Sequence, residues 1–258
     1  MDVTYSQYDY IPLTYDAQYI GREDLQQDIV FYRDLASEAG GRVCEVGCGT
    51  GRVYLPIRRS GIDIWGVDLS EKMLDVLRAK AIKEGLECKL FLGDARTFTL
   101  KRKFRIITMP FRVFQHLLSP QDQLQALANL REHLLPGGRL ALNIFNPNMD
   151  RLVNRCRQPL YEGSFPHPVT GRTVHLWSST SPDWDRQVAE NQMIYEEVDA
   201  QGKVVDRRVI PLRMRWTYRH EFEHLAARAG FTVEALHGDF WRSPFSGESP
   251  EQVWVLKK

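Results

Sequence analysis

Short apolar runs alternate with amphipathic segments between residues 43 and 145. The apolar runs predict five strands, at Val43–Val46, Ile62–Val67, Leu90–Leu92, Phe104–Met109 and Arg139–Phe145. The intervening segments have helical spacing, and two of them begin with helix-capping serines, Ser70 and Ser119. Strands that alternate with helices in this way predict a parallel, doubly wound α/β sheet.

The pattern changes at Asn146-Pro147. From Thr173 to Trp216 we expect strands without intervening helices, with a hairpin turn at Asp199–Gly202. Apolar residues alternate with arginines at the end of this stretch, which predicts one apolar face (Leu212, Met214, Trp216) and one basic face (Arg213, Arg215). The segment therefore predicts a small antiparallel β subdomain inserted into the α/β domain.

Helical spacing is also present at both ends of the chain. The spacing predicts a helix at Glu23–Ala39 and another at Tyr218–Ala229, capped by Thr217, before strands at Thr232–Leu236 and Val253–Leu256. We therefore expect four parts: an N-terminal helical lid segment (1–42), a cofactor-binding core (43–146), the antiparallel insertion (147–216) and a C-terminal helix and strands that complete the core sheet (217–258).

Composition excludes several classes of protein. The 258 residues are 43% hydrophobic and 26% charged, which is ordinary for a globular protein. The net charge of +1 gives no strong field for nucleic acid or an anionic membrane. The start of the chain lacks the pattern of a secretory signal, no apolar stretch is long enough to span a membrane, and the four cysteines form no CxxC pair. These features predict a cytoplasmic protein.

The segment from Val43 to Arg52 carries the clearest chemical signal. Its glycines at 47, 49 and 51 allow a tight turn between a strand and a helix, with close approach of a ligand. Backbone amides at such a turn favour an anionic group. Asp68 follows 21 positions after Gly47, and a carboxylate there can accept both hydroxyls of a ribose. The sequence therefore predicts a nucleoside-containing ligand at the carboxyl edge of the sheet.

The spacing of the motifs indicates which nucleoside. A dinucleotide fingerprint would need glycine where Arg52 stands. Four motifs occur in order: EVGCGTG at 45–51, VDLS at 67–70 with Met73 behind it, Gly93-Asp94-Ala95, and LPGG at 135–138. This pattern resembles the class I S-adenosylmethionine-dependent methyltransferases, closely over 40–146 and more loosely over 217–258. It is most similar to the bacterial small-molecule group with an N-terminal Tyr-Asp segment and an antiparallel insertion.

The resemblance implies a Rossmann-like, mostly parallel sheet and S-adenosylmethionine as cofactor. Glu45 and the turn would contact its methionine part, Asp68 its ribose, and residues after the second and third strands its adenine. Met109 would approach the transferred methyl group. The complete set implied for the cofactor is Tyr15, Tyr19, Glu45, Gly47, Cys48, Gly49, Thr50, Gly51, Asp68, Leu69, Met73, Gly93, Asp94, Ala95 and Met109.

The expected reaction is in-line transfer of the methyl group to O, N or S of a small molecule. Alignment of the reactants in a dry pocket supplies much of the catalysis, so a dedicated catalytic residue is not required. His116 is the first candidate for a general base, with a structural histidine as the alternative. Phe111 and Trp216 are candidates to line the acceptor pocket. We expect the insertion to cover this pocket; the alternative is a dimerisation sheet, so the chain is a monomer or a homodimer.

Other functions have weaker support in the sequence. Residues 220–224 satisfy the zinc-protease pattern HExxH, but no third ligand is evident, so we expect no metal. Residues 109–112 lack the Asn/Asp-Pro-Pro-aromatic motif of base-methylating DNA enzymes, so we expect no nucleic-acid partner. A catalytically idle cofactor-binding subunit and a nicotinamide-dependent oxidoreductase remain as alternatives. The sequence does not identify the acceptor.

Overall fold

The computed structural model describes residues 10–19, 26–154 and 156–258. These described residues form two compact units, one that contains 10–19 and the described part of 148–215 and one that contains 26–147 and 216–258. The helices are α1 (Tyr10–Tyr19), α2 (Gln27–Ala39), α3 (Tyr54–Arg59), α4 (Glu71–Lys83), α5 (Pro120–His133), α6 (Met149–Val153) and α7 (Arg219–Arg228). The strands are β1 (Val43–Val46), β2 (Ile64–Asp68), β3 (Lys89–Leu92), β4 (Phe104–Met109), β5 (Leu134–Phe145), β6 (Leu160–Pro166), β7 (Thr173–Asp183), β8 (Val188–Val198), β9 (Val204–Arg215), β10 (Thr232–His237) and β11 (Glu251–Lys257).

The larger unit contains a seven-stranded sheet in the order β10-β11-β5-β4-β1-β2-β3. All pairings within the set β1 to β5 are parallel, whereas β11 pairs antiparallel with both β5 and β10. The predicted doubly wound, Rossmann-like sheet is therefore confirmed. The chain leaves β1 toward β2 and β3 on one side and returns to β4 and β5 on the other. Such a reversal of strand order creates a crevice at the carboxyl ends of the strands.

Both faces of this sheet are covered, so the central strands are apolar on both sides. Alternate residues of β1, such as Val43 and Cys44, belong to two different hydrophobic clusters. One cluster includes residues of α5 and α7, and the other includes residues of α2, α3 and α4. The two-sided burial explains why continuous apolar runs, rather than alternating ones, predicted the strands.

The ends of the helices match the sequence signals in two cases and differ in a third. The hydroxyls of Ser70 and Ser119 accept hydrogen bonds from the first turns of α4 and α5, as predicted. The N-cap of α7 is Tyr218, so the prediction of Thr217 was wrong. Thr217 is buried, and its hydroxyl accepts a hydrogen bond from Gln123 Nε2 at 3.4 Å. The predicted helix Glu23–Ala39 is observed as α2, and its first residues, 23–25, lie outside the described part of the chain.

The smaller unit contains an antiparallel sheet in the order β6-β7-β8-β9. The predicted hairpin at Asp199–Gly202 is confirmed, because β8 and β9 pair on either side of it. The sequence failed to predict β6. This edge strand contains Gly163 in a left-handed conformation and a register shift beside it, which disrupt the alternating pattern that identifies a strand.

Helix α1 packs on this antiparallel sheet. The Tyr10 ring meets Tyr195 edge-on at 5.2 Å, and the Arg208 guanidinium lies 4.7 Å from the Tyr10 ring centre. Burial raises the pKa of Tyr10 to about 12. The predicted separation of β9 into an apolar and a basic face was wrong. Arg215 is buried and donates to Gln187 Oε1 at 3.4 Å, whereas Leu212 and Met214 are only half-buried.

In the described part of the chain, every helix is too short or too polar to cross a membrane.

Candidate active site

The glycine-rich turn after β1 contains three glycines with left-handed backbone, at φ +76°, +52° and +87° for Gly47, Gly49 and Gly51. A Cβ atom on Gly47 would lie 2.5 Å from Val113 Cγ2, and one on Gly51 would collide with Leu77. These two glycines are required by close packing. A Cβ on Gly49 would meet no atom within 4 Å, so Gly49 faces open space and leaves room for a ligand.

The backbone amides of the three turn glycines donate within the chain. Gly47 N donates to Val67 O at 2.7 Å, Gly49 N to Asp68 Oδ2 at 2.8 Å and Gly51 N to Cys48 O at 2.9 Å. The amides of these three glycines are therefore already used within the protein, and the attraction of an anionic group to the turn stays a prediction. The following helix, α3, also begins only at Tyr54 and is six residues long. The turn is built to let a ligand pass closely and does not form a phosphate cradle.

Asp68 lies at the end of β2, beside the turn. Its Oδ1 accepts the amide of Ser70 at 2.8 Å, and its Oδ2 accepts the amide of Gly49. Burial raises the pKa of Asp68, and hydrogen bonds from backbone amides oppose that rise. Since each carboxylate oxygen has two acceptor sites, both oxygens can also accept a hydroxyl from a ligand. The next side chain, Leu69, is 45% exposed at the same edge and offers an apolar surface, while Met73 is half-buried in α4.

Glu45 on β1 is almost fully buried, and its Oε2 has no hydrogen-bond partner among the described residues. Burial raises the pKa of this carboxyl group, and Arg52 opposes the rise. Thr108 lies opposite Glu45 on β4, and its buried hydroxyl also lacks a partner among the described residues. Buried oxygens without donors are costly, so adjacent strands here present acceptors that suit a ligand with N–H groups.

Arg52 joins α2 to the loop that follows β4. It forms a buried ion pair with Asp28, with Nη1 at 2.8 Å from Oδ1 and a second contact between Nη2 and Oδ2. Its guanidinium also lies 4.5 Å from the centre of the Phe111 ring. The ion pair therefore fixes the ring of Phe111, a predicted acceptor-pocket residue, beside the carboxyl edge of the sheet.

The loop after β4 has an unusual backbone. Phe111 and Arg112 adopt φ +55° and +65°, conformations that are rare for residues other than glycine. The next residue, Val113, packs against Gly47, and the amide of Phe145 donates to Gln115 Oε1 at 2.9 Å. The loop is thus fixed between the glycine turn and the end of β5. We call residues 111–116 the β4 loop.

His116 ends the short 3-10 helix of the β4 loop, Val113–His116, and its side chain is exposed. This places the predicted base at the surface on the carboxyl side of the sheet. Its role as a base stays a prediction.

A second polar network lies beside the β4 loop and was missed by sequence reasoning. Arg112 Nε donates to Glu251 Oε1 at 2.9 Å, and Arg112 Nη2 contacts the same oxygen. Asn143 Nδ2 donates to Glu251 Oε2 at 3.0 Å, and the Tyr32 hydroxyl donates to Asn143 Oδ1 at 2.9 Å. The one available signal was Asn143 itself, a polar residue in the middle of an apolar strand.

The predicted adenine residues follow β3. Gly93 N donates to Asp68 O at 2.8 Å, which joins this segment to the end of β2. Both carboxylate oxygens of Asp94 accept hydrogen bonds from Arg96, which lowers the pKa of Asp94. Ala95 O accepts a hydrogen bond from Asn129 Nδ2 at 3.0 Å. The protein thus already engages Asp94, and its contact with adenine stays a prediction.

Several other predicted site residues are buried or lie elsewhere. Fully buried or nearly so are Cys48, Thr50, Met109 and Trp216. Trp216, at 1% exposure, offers almost no surface to an acceptor. Tyr15 and Tyr19 belong to the smaller unit, where their ring centres are 4.7 Å apart.

The HExxH segment has a different set of contacts. His220 Nδ1 lies 2.8 Å from Glu223 Oε2, and Arg219 Nε donates to Glu223 Oε1 at 3.1 Å. Over the ranges 10–19, 26–154 and 156–258, the structure has no group of three His, Cys, Asp or Glu side chains placed to hold a metal ion.

Comparison with known proteins places this geometry in context. Residues 43–138 match a family model described as a methyltransferase domain. The chain is 25% identical over 220 residues to a cypemycin N-terminal methyltransferase of Streptomyces sp, covering 85% of this chain and 84% of that protein.

Two further similarities are informative. The solved structure of the CcbJ methyltransferase from Streptomyces caelestis is similar with a TM-score of 0.80 and 27% identity, covering 99% of this chain and 98% of that one. A dTDP-3-amino-3,4,6-trideoxy-alpha-D-glucopyranose N,N-dimethyltransferase of Streptomyces venezuelae is 32% identical over 128 residues, covering 48% of this chain and 52% of that protein.

Proposed function

We propose that this chain, which belongs to the class I S-adenosylmethionine-dependent methyltransferases, transfers the methyl group to an amine nitrogen of a small molecule. Methyl transfer to a small-molecule acceptor is the activity of its relatives. The choice of nitrogen rests on one observation. One relative that aligns with 85% of the chain is named as an N-terminal methyltransferase of cypemycin, and another is named as an N,N-dimethyltransferase of a dTDP-amino sugar.

The residues at the glycine turn fit the cofactor. Glu45 and Thr108 present buried acceptor oxygens that suit the cofactor's ammonium group. Asp68 keeps acceptor capacity for the two ribose hydroxyls, and Gly49 leaves open space beside it. Leu69 offers an apolar surface for the adenine. When bound, S-adenosylmethionine supplies an electrophilic sulfonium methyl group.

The protein's part in the reaction is alignment and proton removal. An amine attacks only as the free base, and the methylated nitrogen must then lose a proton. We assign this proton to His116, because an imidazole has an ordinary pKa near 6.5 and its exposed position lets it pass the proton to water. Phe111, fixed by Arg52, would form an aromatic wall beside the acceptor.

The test is a panel of amine acceptors, each paired with the analogue in which a hydroxyl replaces the amine. Amino sugars and short peptides form the panel, S-adenosylhomocysteine release is the readout, and fragmentation of the product locates the methyl group. We expect turnover with an amine and little with its hydroxyl partner. Equal turnover of the two, or a methyl group on oxygen, would contradict the choice of nitrogen.

A histidine comparison tests the proton step. His116→Gln should lower kcat most strongly between the pKa of an imidazole, near 6.5, and the pKa of the amine, because the imidazole is neutral there while most of the amine is still protonated. His220→Gln, a change at another exposed histidine, should leave the pH profile unchanged. A cytoplasmic location and the absence of a nucleic-acid partner remain predictions from the sequence.

A further inference from the structure

We infer that Arg112 binds an oxyanion of the acceptor, either a carboxylate or a phosphate. The inference rests on the proposed function and specifies its substrate class: amines that carry an anionic group. Three features of Arg112 each support the inference: its position, the orientation of its side chain and the conformation of its backbone.

Arg112 lies where an acceptor must approach. It follows three residues after Met109, the last residue of β4, and the next residue, Val113, packs against Gly47 of the cofactor turn. Ligands of open α/β sheets bind beyond the carboxyl ends of the strands, at the reversal of strand order, which here lies between β1 and β4. The guanidinium is therefore attached to the same edge as the cofactor site.

The orientation of the guanidinium leaves one edge available. Nε and Nη2 face Glu251 Oε1, whereas Nη1 has no hydrogen-bond partner among the described residues. The side chain of Arg112 is 44% exposed, but that of Glu251 is only 10% exposed. The Phe145 ring, 5.7 Å from the guanidinium carbon, supports one face of the group. The edge formed by Nη1 and Nη2 can thus take a second, planar anion in the paired geometry that arginine favours.

The backbone conformation of residues 111 and 112 supports a functional role for the orientation of the Arg112 side chain. Phe111 and Arg112 are consecutive residues in left-handed conformations. Such conformations are energetically costly for residues other than glycine, and they persist only where the surrounding structure fixes them. The ion pair alone does not account for this, because partly exposed pairs contribute little to stability.

The support behind Arg112 is also extensive. Glu251 is held by Asn143, and Asn143 is held by the Tyr32 hydroxyl. A guanidinium fixed in this way loses little freedom when it binds a ligand, which is how a recognition residue gains affinity. A preorganised binding group is expected to have both features: a strained backbone, here at residues 111 and 112, and a series of buried hydrogen-bond partners behind its side chain.

Calorimetry on the whole protein saturated with S-adenosylhomocysteine tests the inference with two pairs of probes. Thymidine 5'-diphosphate against thymidine reports a phosphate, and the dipeptide Ala-Ala against its C-terminal amide reports a carboxylate. We expect the charged member of at least one pair to bind about tenfold or more tightly than its uncharged partner, from paired, charge-assisted hydrogen bonds. The pair that shows the difference identifies the source of the anion.

Three variants separate recognition from structure. Arg112→Asn removes the charge and tolerates the left-handed backbone, so it should abolish the difference. Arg112→Lys keeps the charge but cannot form the paired hydrogen bonds, so it should retain only part of the difference in affinity between the charged and the uncharged probe. Arg139→Asn, which breaks another Arg–Glu pair at the opposite end of the pairing between β5 and β11, should keep the full difference. Unchanged affinity for S-adenosylhomocysteine confirms that each variant is folded.

The outcomes are decisive for the inference independently of turnover. If neither charged probe binds more tightly than its partner, or if Arg112→Asn binds the charged probe as the wild type does, the assignment of Arg112 is wrong. Failure of the proposed function is a different result: charged probes then bind through Arg112, but no amine is methylated.

Discussion

The backbone amide of Gly49 donates to Asp68 Oδ2 at 2.8 Å, which joins the glycine turn after β1 to the end of β2. The bond holds the carboxylate beside the one glycine of the turn whose Cβ position is open space. Gly49 is therefore placed where a side chain would occupy ligand volume without disturbing the packing.

This geometry predicts separate effects on stability and on binding. Gly49→Ala should cost about 1 kcal/mol of stability, the price of a left-handed alanine, yet weaken S-adenosylhomocysteine binding strongly, because the methyl group enters the open space. Gly61→Ala, also left-handed with open space at its Cβ but at the turn after α3, should cost a similar stability and leave binding unchanged. Urea unfolding and calorimetry measure the two effects; equal binding by both variants would place the cofactor elsewhere.

Glu45 predicts a pH-dependent stability. Burial raises its pKa in the folded protein, so the folded state favours the protonated acid. The stability that this carboxyl group contributes is complete below its unfolded pKa, about 4.3, and is lost as pH rises through the raised, folded pKa. Glu45→Gln mimics the neutral form and removes this loss. The free energy of unfolding of Glu45→Gln minus that of the wild type should therefore grow as the pH rises above the unfolded pKa of the carboxyl group.

The same substitution should weaken binding of S-adenosylhomocysteine, because Gln lacks the carboxylate that we assign to the ammonium group of the ligand. A difference in unfolding free energy that stays constant with pH would show that Glu45 is not the titrating group. An equal or higher affinity for S-adenosylhomocysteine would contradict the assignment of Glu45 to the methionine part of the cofactor.

The ion pair between Asp28 and Arg52 is buried, with both side chains 5% exposed. Asp28→Asn leaves the arginine without its counter-ion and should cost about 3 kcal/mol. Asp63→Asn breaks ion pairs to Arg42 and Lys89, which are more than a third exposed, and should cost about 1 kcal/mol or less. Urea unfolding compares the two; similar costs would mean that water reaches the buried pair.

The contacts of the HExxH segment predict that the protein binds no zinc there. We expect purified protein to hold no stoichiometric zinc and to keep its methyl transfer in the presence of a chelator. His220 and Glu223 already contact one another on α7, which accounts for the segment without a metal. One zinc per chain, lost in His224→Ala, would overturn this interpretation.

The sequence predicted the parts of the site that are local in the chain. The strand–glycine turn–helix pattern and Asp68 are read from short segments, because buried parallel strands and left-handed glycines leave direct signatures. The parallel, doubly wound arrangement of β1 to β5 followed from the alternation of strands and helices. Local patterns did not reveal how the amides of Gly47 and Gly49 are used, because their acceptors, Val67 O and Asp68 Oδ2, lie on the next strand.

Features that depend on distant pairs could not be predicted. Asn143 and Glu251 are 108 residues apart and meet only because β11 inserts beside β5. Asp28 meets Arg52 only once α2 packs on the sheet. Strand β6 was missed because Gly163 breaks its alternation. The expected cover of the acceptor pocket by the insertion stays a prediction.

The central claim is that Asp68 holds the ribose of S-adenosylmethionine at the carboxyl edge of the sheet. Calorimetry with S-adenosylhomocysteine tests it most directly, with Asp68→Ala compared against Asp63→Ala, a change just before the other end of β2. We predict about one molecule bound per chain in the wild type and in Asp63→Ala, and an affinity at least about tenfold lower in Asp68→Ala, since charge-assisted hydrogen bonds are worth about 1.5–3 kcal/mol. Equal affinity of Asp68→Ala and the wild type would contradict the account.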